Sequence, residues 1–167
     1  MTTFVTDQAL DEHDPLDAVE EGLVDAGWGA QRDDEECLQS SVPTRWGECP
    51  ALFVWRPDLP AVQLSVSLDM KAPTGRREAL CELVTRINEH LWLGHFEFWI
   101  DERAIFFRHT LPLADRGQPE SGEIDAVLNA ARDAIETYLP AFNFVAWAGQ
   151  APEQALESAL VRPDGEA

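Results

Sequence analysis

Five residues carry side chains suited to metal ligation or proton transfer: Glu89, His90, His95, Glu97 and His109. A neutral imidazole ligates transition metals and titrates near neutral pH, and a carboxylate beside it tunes both properties. Local patterning puts His90 at the end of a helix and His95 and His109 on the two strands of a hairpin. In that hairpin His95 opposes Thr110 and Phe96 opposes His109, so the two imidazoles point to opposite faces. One ion needs its nitrogens within about 2.1 Å, which opposite faces do not allow. The expectation is therefore no metal, no cofactor and no catalytic residue, with the histidines hydrogen-bonded at the edge of the core. A small metal-dependent or acid–base enzyme using His90, His95, His109 and Glu97 stands as the alternative.

No established catalytic pattern supports that alternative. The sequence lacks G-x-G-x-x-G, G-x-x-x-x-G-K-[ST], G-x-S-x-G, H-E-x-x-H and the calcium-loop pattern. Nucleotide chemistry and nucleophilic hydrolysis have nothing to stand on. Cys37, Cys49 and Cys81 form no Cys-x-x-Cys pair. An odd count without that pair reads as reduced, partly buried thiols.

The aromatic residues point elsewhere. Six tryptophans, at positions 28, 46, 55, 92, 99 and 147, read mostly as core. Trp99 and Phe106 differ, because they share a sheet face with His95, Glu97 and Arg108. An aromatic pair on a half-polar face is either covered by a helix or kept for a partner.

Charge narrows the partner. Twelve basic residues against 31 acidic ones give −19 over 167 residues. A surface this negative repels nucleic-acid phosphates and anionic lipids, and the longest basic run is Arg76-Arg77. Neither nucleic acid nor membrane is expected as a partner. No apolar run reaches the roughly 18 residues of a membrane span, and residues 1–14 lack a secretory pattern. A cytoplasmic location is expected. The length suits one domain.

The elements that must position these residues follow from periodicity. Asp14 caps a helix that Pro15 opens, with Leu16, Val19, Leu23 and Ala26 as its apolar stripe. Gly27 stops it and Trp28 folds back. Strands are predicted at Glu36–Val42, Ala51–Arg56 and Ala61–Met70, the last with strict alternation and so one buried face. A second helix spans Thr74–Leu93, with Leu80, Leu83, Val84, Ile87 and Leu91 as its main stripe. Cys81, Thr85, Asn88 and Trp92 form a weaker second stripe. A hairpin follows, His95–Asp101 and Ala104–Leu111, closed by a two-residue Glu102-Arg103 turn that sets Glu97 opposite Arg108 and Trp99 opposite Phe106. Ser121 caps a third helix that Pro140 ends or kinks. Ala141–Ala148 continues as a shorter helix, and Pro152–Leu160 forms a final turn or two. The sum is an α+β domain with an antiparallel five-stranded sheet flanked by helices, in the order α-β-β-β-α-β-β-α. Residues 1–14 read as a flexible acidic lead, 15–161 as the single domain and 162–167 as a frayed tail.

Several stretches resemble the YbjN family of bacterial sensory transduction regulators: Gly27-Trp28, Ile87–Leu91 leading into Gly94–Glu97, Phe107–Leu111, Tyr138-Leu139-Pro140, Gly149 and Pro152–Leu156. The resemblance spans roughly Pro15 to Leu160. It implies a fold similar to type III secretion chaperones, which are small acidic dimers that bind polypeptides, and it carries no catalytic signature. The resulting expectation is a non-enzymatic bacterial regulatory or chaperone-like module that binds a protein partner and forms a homodimer. Trp92, Trp99, Phe106, Cys81 and Asn88 are its candidate contact residues. A monomer whose segment Ala141–Leu160 covers Trp99 and Phe106 is the competing arrangement.

Overall fold

A computed structural model describes residues 14–161. The expected flexible lead and frayed tail lie outside the described residues, apart from Asp14 itself. The elements are α1 (Pro15–Asp25), β1 (Ala30–Arg32), β2 (Cys37–Thr44), β3 (Gly47–Arg56), β4 (Ala61–Lys71), α2 (Arg77–Asn88), β5 (His95–Trp99), β6 (Ala104–Pro112), α3 (Ser121–Ala146) and α4 (Pro152–Leu160). A short 3-10 turn, Thr74–Arg76, leads into α2.

The fold is α+β, and its sheet is antiparallel throughout, with strand order β1-β2-β3-β4-β6-β5. It has six strands, not five. The added strand, β1, has only three residues, too few to show a period of two.

Alternation decides which face is buried. Val62, Leu64, Val66 and Leu68 of β4 are buried, while Gln63, Ser65 and Ser67 are only partly covered. The register breaks between Ser67 and Lys71, where Asp69 adopts φ 51°. Met70 is consequently only partly buried. The buried face carries Phe53, Ile105 and Phe107 beside these residues. Phe96 anchors the centre, its ring edge-on to Phe107, Phe142 and Tyr138 at 5.4, 5.1 and 6.2 Å.

Asp14 caps α1 as expected, accepting from the Leu16 N–H at 2.9 Å. Leu16, Val19 and Leu23 are buried, Ala26 is not, and Trp28 returns to the core with its N–H on Leu23 O. Trp28 is the one buried tryptophan; Trp46, Trp92, Trp99 and Trp147 are exposed, which reverses the expectation that most would be core.

Helix α2 ends at Asn88, five residues before the predicted Leu93. The reason is tertiary. The Asn88 carboxamide accepts from the Phe96 N–H (2.8 Å) and donates to the Phe96 carbonyl (3.0 Å). It thus takes the place of a neighbouring strand along the edge of β5. Trp92 therefore leaves the predicted stripe and sits in the connecting loop, 99% exposed.

The hairpin register also differs. His95 pairs with Arg108, Glu97 with Phe106, and Trp99 with Ala104. Residues 100–103 form a four-residue turn, with Arg103 at φ 56°. A two-residue turn needs left-handed residues such as Asn or Gly, which Glu102-Arg103 does not supply. The shift is by two residues, so every side chain keeps its predicted face.

Glu120 rather than Ser121 sits at the N-cap of helix α3, where its N–H donates to the Glu123 carboxylate at 2.9 Å and its carbonyl accepts from the Glu123 N–H at 3.0 Å. The helix runs through Pro140 to Ala146 instead of ending there. Helix α4 packs on α2 and α3.

Candidate interaction surface

Helices α1, α2 and α3 pack against the face that carries Phe53, Leu64 and Phe107, and α4 lies on α2 and α3. No described helix crosses the other face. Segment Ala141–Leu160 packs with α2 and α3, so it does not cover Trp99 and Phe106; the competing monomer arrangement fails on this point.

The register defines the open face. One cross-strand row reads Gln39, Leu52, Ser65, Arg108, His95; the rows beside it read Cys37, Val54, Gln63, Thr110 and Ser67, Phe106, Glu97. Apart from His95, these rows hold one cation and one anion, Arg108 and Glu97, and the two neutralise each other. In a chain of net charge −19, these rows form a charge-poor centre; Glu48, whose carboxylate accepts from the Ser41 hydroxyl at 3.0 Å, adds an anion nearer the β2–β3 hairpin tip. Small serines at its middle keep it flat, and Leu52, Val54 and Phe106 are only partly covered.

Glu97 organises one end of the face. Its carboxylate accepts from the Arg108 guanidinium at 2.8 and 3.1 Å and from the Trp99 indole N–H at 2.8 Å. His95 Nε2 lies 2.9 Å away. Arg108 reaches on to Gln63 at 2.6 Å. Partial burial alone would raise the Glu97 pKa. Hydrogen bonds from Trp99, Arg108 and His95 outweigh it and bring the carboxyl from 4.5 to about 2. Glu97 is therefore a fixed anion that holds Trp99 in place. The Trp99 ring packs on Phe106, centroids 4.5 Å apart, with Arg108 6.0 Å from its centroid. The result is a rigid aromatic platform, 40% exposed at Trp99.

The predicted contact residues thus divide. Trp99 and Phe106 come together on the open face. Cys81, Asn88 and Trp92 belong to the helical side: Cys81 half-buried on α2, Asn88 turned onto Phe96, and Trp92 in the loop. Arg108 lies on this face as expected, and the signal that could have found Gln63 is present in the alternation of β4, where it occupies an outward position.

The four residues of the enzyme alternative are not gathered into one site. His109 faces the core side beside Leu64, while His95 and Glu97 lie on the open face. Burial, then the charge of His95, pushes the His109 pKa below its usual value. His90 follows α2 and is exposed. Among the described residues no three His, Cys, Asp or Glu side chains form a group that could hold a metal. The three cysteines are free thiols, and burial raises the Cys49 pKa, which keeps that thiol protonated. Among the described residues no helix is long and apolar enough to cross a membrane.

At one sheet edge Asn88 occupies the Phe96 backbone on β5. The other edge strand, β1, has only three residues, and Pro43 of β2, beyond its reach, has no N–H to offer.

No curated protein matches the sequence. The crystal structure of the ExsC-ExsE complex is similar to this chain over 73% of its length and 88% of that chain, at 14% identity and a TM-score of 0.47. A family model described as "Putative bacterial sensory transduction regulator" matches residues 15–144, spanning α1 to most of α3 and including the whole sheet; the chain belongs to the YbjN family.

Proposed function

We propose that this protein is a non-enzymatic interaction module, regulatory or chaperone-like, that acts in the cytoplasm through residues 15–161. Its contact surface is the open sheet face centred on Trp99 and Phe106, and it pairs with a second copy there. The observation that carries this reading is an uncovered, charge-poor sheet face in a chain of net charge −19. Two such chains repel over most of their surface, and least where charge is scarce. Screening within about 8 Å at physiological salt reduces the remaining cost. Rigid, partly exposed aromatics are the residues that anchor protein interfaces. The same charge sets the protein against nucleic acid and anionic membranes.

Light scattering on wild type and on Trp99→Glu tests the reading. A dimer that Trp99→Glu dissociates supports it. A wild-type mass near 18.6 kDa at micromolar concentration refutes the pairing, and an unaltered dimer in the variant moves the interface off this face.

A further inference from the structure

A second surface lies at the other end of β4 from Trp99. Here the β3–β4 turn, the start of α1 and the loop after β6 enclose a groove of about 740 Å³. Trp55 forms its apolar floor, half-buried at the end of β3, and Pro57 and Pro60 of the turn wall it. The Trp55 backbone N–H donates to the Glu36 carbonyl at 2.8 Å, which ties the acidic β1–β2 loop to the end of β3. Glu35, Glu36 and Asp115 line the rim, all exposed, and none of the three is in an ion pair among the described residues. The one cation at the rim, Arg116, is held by Glu123 at 2.6 Å. Among the described residues no cation lies over the Trp55 ring, whereas Trp46 and Trp99 each have an arginine near theirs.

We propose that this groove docks a basic polypeptide segment of a partner protein, seating an arginine or lysine on the Trp55 indole between Glu35, Glu36 and Asp115. Charge complementarity selects the occupant. The groove offers an aromatic face and unpaired carboxylates together, which fits an alkyl stem ending in a cation. Prolines on the walls add apolar contact without demanding backbone pairing. The chain's own residues 1–13 carry three acids and no lysine or arginine, so they do not match the rim. This site stands apart from the open face, and it holds whether or not that face pairs two copies.

The test uses the full chain and a short peptide alternating arginine with leucine and glycine, with citrulline replacing arginine as the uncharged control. Amide and indole chemical shifts locate binding, and titration measures affinity. Shifts are expected at Trp55, Glu35 and Glu36, with no binding of the citrulline peptide. Glu35→Gln/Glu36→Gln, both on the surface, is expected to weaken binding about tenfold. Trp55→Phe is expected to weaken it about threefold. Glu153→Gln/Glu157→Gln on α4 removes the same charge and is expected to change affinity less than about twofold. Equal weakening by both double variants would mean diffuse attraction to net charge and overturn the proposal, as would tight citrulline binding or shifts mapping elsewhere. Shifts at the groove on deleting residues 2–13, with none on adding peptide, would give the groove to the chain's own N-terminal segment and also overturn it.

Discussion

The Trp46 indole nitrogen donates to the Glu136 backbone carbonyl at 3.0 Å, and that carbonyl is the one Pro140 leaves without a helical donor. An α-helix pairs each carbonyl with the N–H four residues on, and proline has none. The tip of the β2–β3 hairpin supplies the missing donor from outside. Arg45 adds its N–H at 2.9 Å and its guanidinium at 3.1 Å to the Glu136 carboxylate. Helix α3 can therefore run through Pro140 and deliver Phe142 to the core.

This coupling is measurable by a double-mutant cycle. Trp46→Phe removes the donor and is expected to cost about 1 kcal/mol, the low end for a lost hydrogen bond because the site is partly wet. In a Pro140→Ala background the alanine N–H takes over the carbonyl, so the same substitution is expected to cost much less. Urea unfolding of the four proteins gives the interaction energy; a value of zero would show that the indole bond does not compensate the proline.

Asn88 is expected to be among the more costly polar residues to lose. Asn88→Ala breaks two part-buried hydrogen bonds to Phe96 and is expected to destabilise by about 2 kcal/mol. It also frees an edge strand, so increased aggregation is expected with it. Asn88→Asp keeps the acceptor but loses the donor and should fall between. Hydrogen exchange at the Phe96 amide checks the cause, since it should accelerate in Asn88→Ala.

Glu97 predicts an acid dependence. Its carboxyl titrates near 2 in the folded protein against 4.5 ordinarily. The unfolded chain binds the proton first, so this contribution is present above pH 4.5 and is lost as the pH falls from 4.5 towards 2. Glu97→Gln should be less stable than wild type near neutrality, and the gap should close through that window. A gap that stays constant down to pH 2.5 would mean that the carboxylate's charge is not what holds the cluster.

His109 predicts a second limb at higher pH. Burial lowers its pKa in the folded state below the ordinary 6.5. The unfolded chain therefore takes up the proton first, and stability declines as the pH falls below 6.5. His109→Leu, set among Val62, Leu64 and Leu111, should flatten the decline below pH 6.5. An unchanged slope in the variant would assign that limb to other groups.

Much of this protein is written in local periodicity. The cap at Asp14, the alternation of Val62 to Leu68 and the face shared by Trp99, Phe106, Glu97 and Arg108 can all be read along the chain, because a period of two or 3.6 needs only neighbouring residues. Faces survive even a register error, since the hairpin shift was by two. What tertiary structure alone decided are the points where a distant group satisfies a backbone atom. Asn88 ends α2 because Phe96 receives its carboxamide, and Pro140 is tolerated because Trp46 reaches Glu136. The side that α4 covers, and hence the exposure of Trp99, likewise depends on packing between segments far apart in sequence. A periodic pattern specifies which face is apolar but not which element will cover it, because burial energy is non-directional and only the assembled geometry selects the partner.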